Sequence, residues 1–240
     1  MKAVDGWHSD RLEHHISLAR WGAVGVPVLI FPTAGGDAEE IERFGLIEAL
    51  GPLLGAGRIK VYSLDSIAGR SWLQKHDPRH SAWLQNQFDA AIRHEVMPAI
   101  YRDSGGAPLP IITAGSSIGA FNAIATLCRH PDAVVAAVGM SGTYDLTPWL
   151  HGFWSDDFYF SSPLHYLPGL EGDRLDQLRT RFILLASGTG DFEDEGESWR
   201  LAEVLGAKAI PNRVDAWHSW SHDWPTWRAM LPGYLDELTS

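Results

Sequence analysis

Cysteine is almost absent from this chain, where Cys128 stands alone. One thiol forms no internal disulfide and builds no cysteine-based zinc site. It lies in an apolar stretch with helical spacing, which predicts a buried, inert side chain. Long apolar runs are missing too. No segment approaches the roughly 18 residues that span a bilayer, so no membrane is expected as a partner. The start, Met1-Lys2-Ala3-Val4-Asp5-Gly6-Trp7-His8, lacks the apolar stretch of a secretory signal, and the cytoplasm is the expected location. Positive charge is scarce, with 19 Lys and Arg against 30 Asp and Glu and a net charge of -11. Such a chain repels polyanions, and no basic cluster interleaves with aromatics, which excludes nucleic acid as an expected partner. Repeats, low-complexity tracts and long linkers are absent as well. The 240 residues, 45% hydrophobic and 20% charged, therefore read as one folded domain over 1–240 with a substantial core.

What is present is a rhythm of short apolar runs and helical segments. The runs 28–31, 59–64, 109–114, 134–140, 182–186 and 210–216 read as strands. Between them, Asp37 can cap a helix reaching Leu50, and 81–101 reads as a helix that Pro98 bends or ends early. Further helices are expected over 118–129, around Leu201 and Leu205, and over 227–235. The segment 16–21 fits an antiparallel edge strand. Val- and Ile-rich strands alternating with helices predict an α/β fold, a mostly parallel central sheet with helices on both faces. The stretch 143–180 breaks the rhythm and reads as a small cap-like, aromatic-rich insertion above the sheet.

The chemistry is carried by Gly115-Ser116-Ser117-Ile118-Gly119, which fits G-x-S-x-G. Three fixed positions alone also fit an ordinary Gly-rich turn. Here the pentapeptide follows a strand and opens a helix, the context of a nucleophile elbow with Ser117 at its tip. A serine hydroxyl needs a base, so a carboxylate and a His should follow in that order. The turn Ser187-Gly188-Thr189-Gly190-Asp191 follows a late strand and nominates Asp191 as the acid. Its neighbours Glu193, Asp194, Glu195 and Glu197 crowd the same loop, and Asp194 is the second choice. The alternating acids also echo a calcium loop, but Ala202 stands where a bidentate Glu is required. Of His218 and His222 near the last strand, His222 is the preferred base. Their four-residue spacing resembles metal ligands, yet Pro225 disfavours a long helix and no third ligand is evident, so no metal is expected. His76 and His80 share that spacing across Pro78, and with His14 and His15 they read as surface residues. The oxyanion hole needs two N–H donors. Ile118 supplies one, and the loop Thr33-Ala34-Gly35-Gly36 the other, with Ala34 first and Thr33 second. Those glycines can equally serve only a tight turn.

With these residues in place the chain resembles the α/β-hydrolase superfamily. More narrowly it resembles the Putative esterase family of esterase D-like enzymes and mycolyltransferases. The residues that carry the likeness are Ala114 to Ala120, Gly188-Thr189-Gly190-Asp191, and His222-Asp223-Trp224-Pro225-Thr226-Trp227-Arg228. The likeness runs from Val28 to Leu235. It implies an eight-stranded, mostly parallel sheet, a triad of Ser117, Asp191 and His222, and serine-based ester hydrolysis with no cofactor. Two departures argue against an S-formylglutathione substrate. Ile118-Gly119-Ala120 stands where those hydrolases carry Met-Gly-Gly, and the chain is shorter. The mycolyltransferases are secreted, and no export signal is visible in this sequence.

The expected activity is that of a serine carboxylesterase acting on a small-molecule ester. The rival readings are an acyltransferase using the same triad and a binding module that keeps the fold. Tyr144, Trp149, Phe153, Trp154, Phe158, Tyr159, Phe160 and Tyr166 crowd the insertion and suggest an apolar wall for an acyl group. Trp72, Trp149, Trp154 and Tyr159 are the expected substrate contacts. Trp220 and Trp224 flank His222 and are expected to steady its loop, while Trp227 anchors the last helix. A homo-oligomer stays open.

Overall fold

The computed structural model describes residues 1–74 and 77–240. Its strands are β1 (Lys2–Ser9), β2 (His14–Trp21), β3 (Val26–Phe31), β4 (Ile59–Leu64), β5 (Ile111–Ser116), β6 (Val134–Met140), β7 (Phe182–Gly188) and β8 (Asn212–Trp217). They form one sheet in the order β1-β2-β4-β3-β5-β6-β7-β8. β1 pairs antiparallel with β2 and β2 with β4, and β3 to β8 are all parallel. Successive side chains of a strand point to opposite faces, and the core divides accordingly. Leu29 and Phe31 pack with helices 78–91 and 118–129, whereas Val28 and Ile30 pack with Leu46, Leu50, Met230 and Leu231 on the other face. Apolar burial on both faces explains why β3 and β5 read as continuous apolar runs rather than alternating ones.

The edge differs from its expectation. The antiparallel strand at 16–21 lies one place inside the sheet, and β1 is the edge. β1 is invisible to periodicity because most of its residues are exposed on both faces. The helix expected over 37–50 is three short pieces, Glu40–Arg43, Leu46–Ala49 and Gly51–Gly55, broken first at Gly45 with φ 78°. Pro98 does not end its helix. Pro78–Ala91 runs into a π-helical turn, Ile92–Val96, and then Met97–Asp103. The wider turn accommodates the carbonyl that the proline ring would crowd.

Residues 143–180 hold short helical pieces: Thr147–Leu150, Asp156–Ser161, Pro163–Tyr166, Leu167–Gly169 and Asp173–Leu178. Their start is fixed to helix Glu195–Ala207, where the buried Glu197 carboxylate accepts the Tyr144 and Asp145 N–H groups at 2.7 and 2.8 Å. Cys128 is fully buried, which pushes its thiol up to about 12 and makes it inert. Among the described residues no helix is long and apolar enough to cross a membrane.

Candidate active site

Because β3 to β8 run in parallel, the loops that follow them share one edge of the sheet. Ser117 follows β5, Ser141 follows β6, Glu193 follows β7, His222 follows β8 and Ala34 follows β3. Ligands of such sheets bind at the carboxyl ends of the strands.

Ser117 has φ 57° and ψ -125°, a strained conformation for a residue with a Cβ. Its N–H donates to the Met140 carbonyl at 3.0 Å, and its own carbonyl accepts from Ala120 and Thr143. The flanking glycines are required by sterics. A Cβ on Gly115 would lie 2.2 Å from the Gly119 carbonyl oxygen, and one on Gly119 would lie 2.4 Å from that of Phe31. Strand, turn and helix Ile118–Arg129 are thus pressed against the end of β3. The nucleophile elbow expected from the sequence has this shape.

The Ile118 N–H opens the helix, where N–H groups have no partner within the helix. The Ala34 N–H has no protein partner among the described residues. Ala34, Ser117 and Ile118 all line one cavity of about 230 Å³. Thr33 differs. Its N–H donates to Glu40 Oε2 at 2.8 Å and its hydroxyl to Glu40 Oε1 at 2.7 Å, so neither donor is free for an oxyanion. The structure thus corrects the second choice at this loop and leaves Ala34.

The loops after β7 and β8 are zipped together through their backbones. Thr189 N–H reaches the Trp217 carbonyl at 3.1 Å, Gly190 N–H the Trp220 carbonyl at 2.8 Å, and His222 N–H the Asp191 carbonyl at 3.0 Å. A Cβ on Gly188 would sit 2.0 Å from the Trp220 carbonyl oxygen, which explains the glycine there. Asp191 therefore meets His222 through its main chain, while its exposed carboxylate forms no hydrogen bond or ion pair among the described residues. The next residue, Phe192, has φ 62° and is 94% exposed. This left-handed step turns the chain so that Glu193 faces inward, with only 2% of its side chain exposed. Glu193 Oε2 lies 3.8 Å from His222 Nδ1, an ion-pair separation longer than a hydrogen bond. Ser141 Oγ donates to Glu193 Oε1 at 2.6 Å and Ser187 Oγ to Oε2 at 3.1 Å. Burial pushes the Glu193 carboxyl up, but His222 and the two hydroxyls outweigh it and hold it below the usual carboxylate range. Of the carboxylates on this loop, it is thus Glu193, and not the expected Asp191, that faces the His222 imidazole.

The imidazole of His222 packs edge-to-face on Trp227, with centroids 5.3 Å apart and planes at 83°. Trp224 lies flat on Phe44 and Trp220 packs against Trp217, so Trp227, not the flanking tryptophans, touches the imidazole.

Trp72 and Trp149 line the cavity beside Ser117, joined by Gly69, Leu73 and Thr143, which periodicity gave no reason to choose. The Trp72 indole N–H donates to Gln85 at 3.1 Å, and Gln85 in turn donates to Asn122 on the helix behind Ser117 at 2.8 Å. Trp154 and Tyr159 do not join them. Trp154 is 51% exposed and packs on Phe158 and His165, and Tyr159 packs against the core and Phe160. Among the described residues no three His, Cys, Asp or Glu gather where a metal could bind. His76 lies outside the described residues.

Several solved structures share this architecture. A ferulic acid esterase superposes with a TM-score of 0.78 at 16% identity, covering 100% of this chain and 98% of that one. An S-formylglutathione hydrolase from Agrobacterium tumefaciens gives 0.75 at 13% identity, with 99% and 94% covered. A fluorophosphonate-binding serine hydrolase from Staphylococcus aureus gives 0.71 at 14% identity, with 100% and 98% covered. At these identities the likeness is one of fold, the α/β-hydrolase fold. No curated protein matches the chain in sequence. The sequence pattern of the family described as "Putative esterase" matches residues 60–238, and on that match the chain belongs to this esterase family.

Proposed function

We propose that this serine carboxylesterase works through Ser117 as nucleophile, His222 as general base and Glu193 as the acid that orients the imidazole. The observation that carries the reading is the buried Glu193 carboxylate facing His222 Nδ1, on the sheet edge that also presents Ser117 in its strained turn. With Nδ1 turned to Glu193, His222 Nε2 is the atom left to take the Ser117 proton. Ser117 Oγ then attacks the ester carbonyl, and the Ile118 and Ala34 N–H groups receive the tetrahedral oxyanion. His222 returns the proton to the departing alcohol, and water, activated by the same imidazole, releases the acid.

The cavity beside Ser117 sets the acyl group. It has a volume of about 230 Å³. Its walls, Trp72, Leu73, Ile118 and Trp149, carry no charge. The acyl groups it takes are short or contain one ring, and they are uncharged.

The test is a panel of activated esters of graded acyl length, run on wild type and Ser117→Ala together. Wild type should prefer short or single-ring acyl groups over long chains. It should also be labelled by a fluorophosphonate. Ser117→Ala should lose kcat on the order of 10^6-fold and take no label. A variant that keeps wild-type turnover removes Ser117 from the mechanism.

A further inference from the structure

Ser141 takes no proton from the substrate in this scheme, yet it sits at the centre of the site. It follows β6 with φ 47°, in the left-handed region that a residue with a Cβ enters only under constraint. Its N–H is held by the Ala186 carbonyl on β7 at 2.7 Å. Its hydroxyl has two partners. It donates its proton to Glu193 Oε1 at 2.6 Å and accepts the Trp227 indole N–H at 2.9 Å. Glu193, an acceptor on both oxygens, and the indole, a donor only, fix the direction of both bonds. Ser141 and Trp227 are each 3% exposed, so water does not compete for them. Trp227 in turn lays its ring edge-to-face against the His222 imidazole. The contacts close a ring: His222 to Glu193, Glu193 to Ser141, Ser141 to Trp227, and Trp227 back to His222.

We infer that Ser141 and Trp227 form a clamp that sets the Glu193 carboxylate and the His222 imidazole at a fixed mutual orientation. They are positioning residues for proton transfer, an inference that rests on the triad proposed above. The physical reason lies in the geometry of the carboxylate. Oε2 is shared between Ser187 and the imidazole, so without a hold on Oε1 the group can rotate about its terminal bond, which is torsionally soft. The imidazole has its own freedom, and the Trp227 ring limits it. One hydroxyl joins the two restraints, from a residue whose backbone lies in the left-handed region.

The experiment is a kinetic double-mutant cycle on the full chain with an activated short-chain ester. Ser141→Ala should lower kcat about tenfold with KM changed less than twofold, the scale of one lost hydrogen bond to a charged group. Ser141→Gly suits the positive φ and should show the same loss, which separates the hydroxyl from backbone strain should the Ala variant fold poorly. Trp227→Phe keeps a ring against the imidazole and should lose about threefold in kcat, again with KM held. Adding Ser141→Ala to Glu193→Gln should bring less than a further twofold loss, because the clamp has no carboxylate left to hold. A full tenfold loss in that background overturns the clamp and makes Ser141 merely structural. So does wild-type turnover in both Ser141 variants while Glu193→Gln is crippled, an outcome that leaves the triad standing. Wild-type turnover in Glu193→Gln overturns the triad reading, and the clamp falls with it.

Discussion

At the scale of single residues, the assignment of the acid separates two neighbours. Glu193→Gln keeps the shape of the side chain and removes its charge, so His222 loses the partner that fixes its tautomer and stabilises its charged form. The expected loss in kcat is on the order of 10^4-fold, the scale seen when a triad carboxylate becomes an amide. Asp191→Asn keeps the backbone carbonyl that holds the His222 N–H and alters only an exposed carboxylate. Its kcat should stay within about threefold, in line with surface substitutions. Steady-state kinetics on both variants decides the matter, and the reverse ranking returns the acid to Asp191. The places of Ser117 and His222 in the fold were legible in the sequence because each sits in a motif whose context is local: strand, glycine, serine and helix for Ser117, and the His-Asp-Trp-Pro stretch before the last helix for His222. The acid was not. Spacing places both carboxylates on the loop after β7, but the inward turn depends on the positive φ at Phe192 and on the zip of backbone hydrogen bonds to the β8 loop. Neither leaves a mark in residue types. A hint was present in Met140-Ser141 at the end of β6, a hydroxyl one strand away from the nucleophile, but nothing in the sequence states that it meets Glu193.

At the scale of elements, the short helix Glu40–Arg43 holds the loop after β3, which carries the proposed oxyanion donor. Glu40 is 7% exposed, and its two oxygens take both donors of Thr33, the residue before Ala34. Gly36 leaves the space this requires, because a Cβ there would lie 2.3 Å from Glu40 Oε2. Glu40→Ala leaves the half-buried Thr33 N–H without a partner, which costs about 1–2 kcal/mol, the lower part of the range for a buried donor. For a chain of this size the melting temperature should fall by about 5 °C. The same change frees the loop that aims the Ala34 N–H, so kcat should drop by about tenfold, less than the 10^2 to 10^3 of a deleted oxyanion donor. Thermal melts and kinetics on one preparation check both. A variant that melts early but turns over normally shows that Glu40 serves the fold alone. At this scale the sequence served well where an element is buried on both faces: β3 to β7 and the helix Ile118–Arg129 fall close to their expected bounds. It failed at β1, which has no buried face to announce it, and at 37–50, where the Gly45 turn splits one expected helix. It also put Trp154 and Tyr159 with Trp72 and Trp149, since aromatic content does not say which rings face the cavity and which pack the insertion.

At the scale of the whole molecule, acid is the condition this fold should resist least. Several carboxylates tie distant elements together, Glu193 and Asp103 among them. Glu193 joins the ends of β6, β7 and β8, and Asp103 joins the end of helix Met97–Asp103 to the sheet. Asp103 accepts from Lys60 at 2.6 Å and from the Tyr62 hydroxyl at 2.8 Å, with Arg20 at 3.4 Å. Burial pushes the Asp103 carboxyl up, but Lys60, Tyr62 and Arg20 outweigh it and hold it below the usual range. For a carboxylate lowered in the folded state, the unfolded chain takes up the proton first as pH falls. The stability contributed is complete above the unfolded value, about 4, and is lost as pH drops through the lower folded value. Urea midpoints followed by tryptophan fluorescence should therefore stay level from about pH 7 to 5 and fall steeply below about 4. Asp103→Asn should lower the midpoint at neutral pH, because Lys60, only 9% exposed, loses its ion partner. The loss is about 3 kcal/mol at most, the low end for breaking a buried pair, since Asp103 is 22% exposed. It should also make the acid fall shallower, because one of the groups that couples folding to protons is gone. A variant that is less stable at neutral pH yet falls in acid as steeply as wild type would place that coupling elsewhere. Glu193, the more buried of the two, would then be the next carboxylate to neutralise, and the same titration of Glu193→Gln would tie acid stability to the group that the His222 imidazole faces.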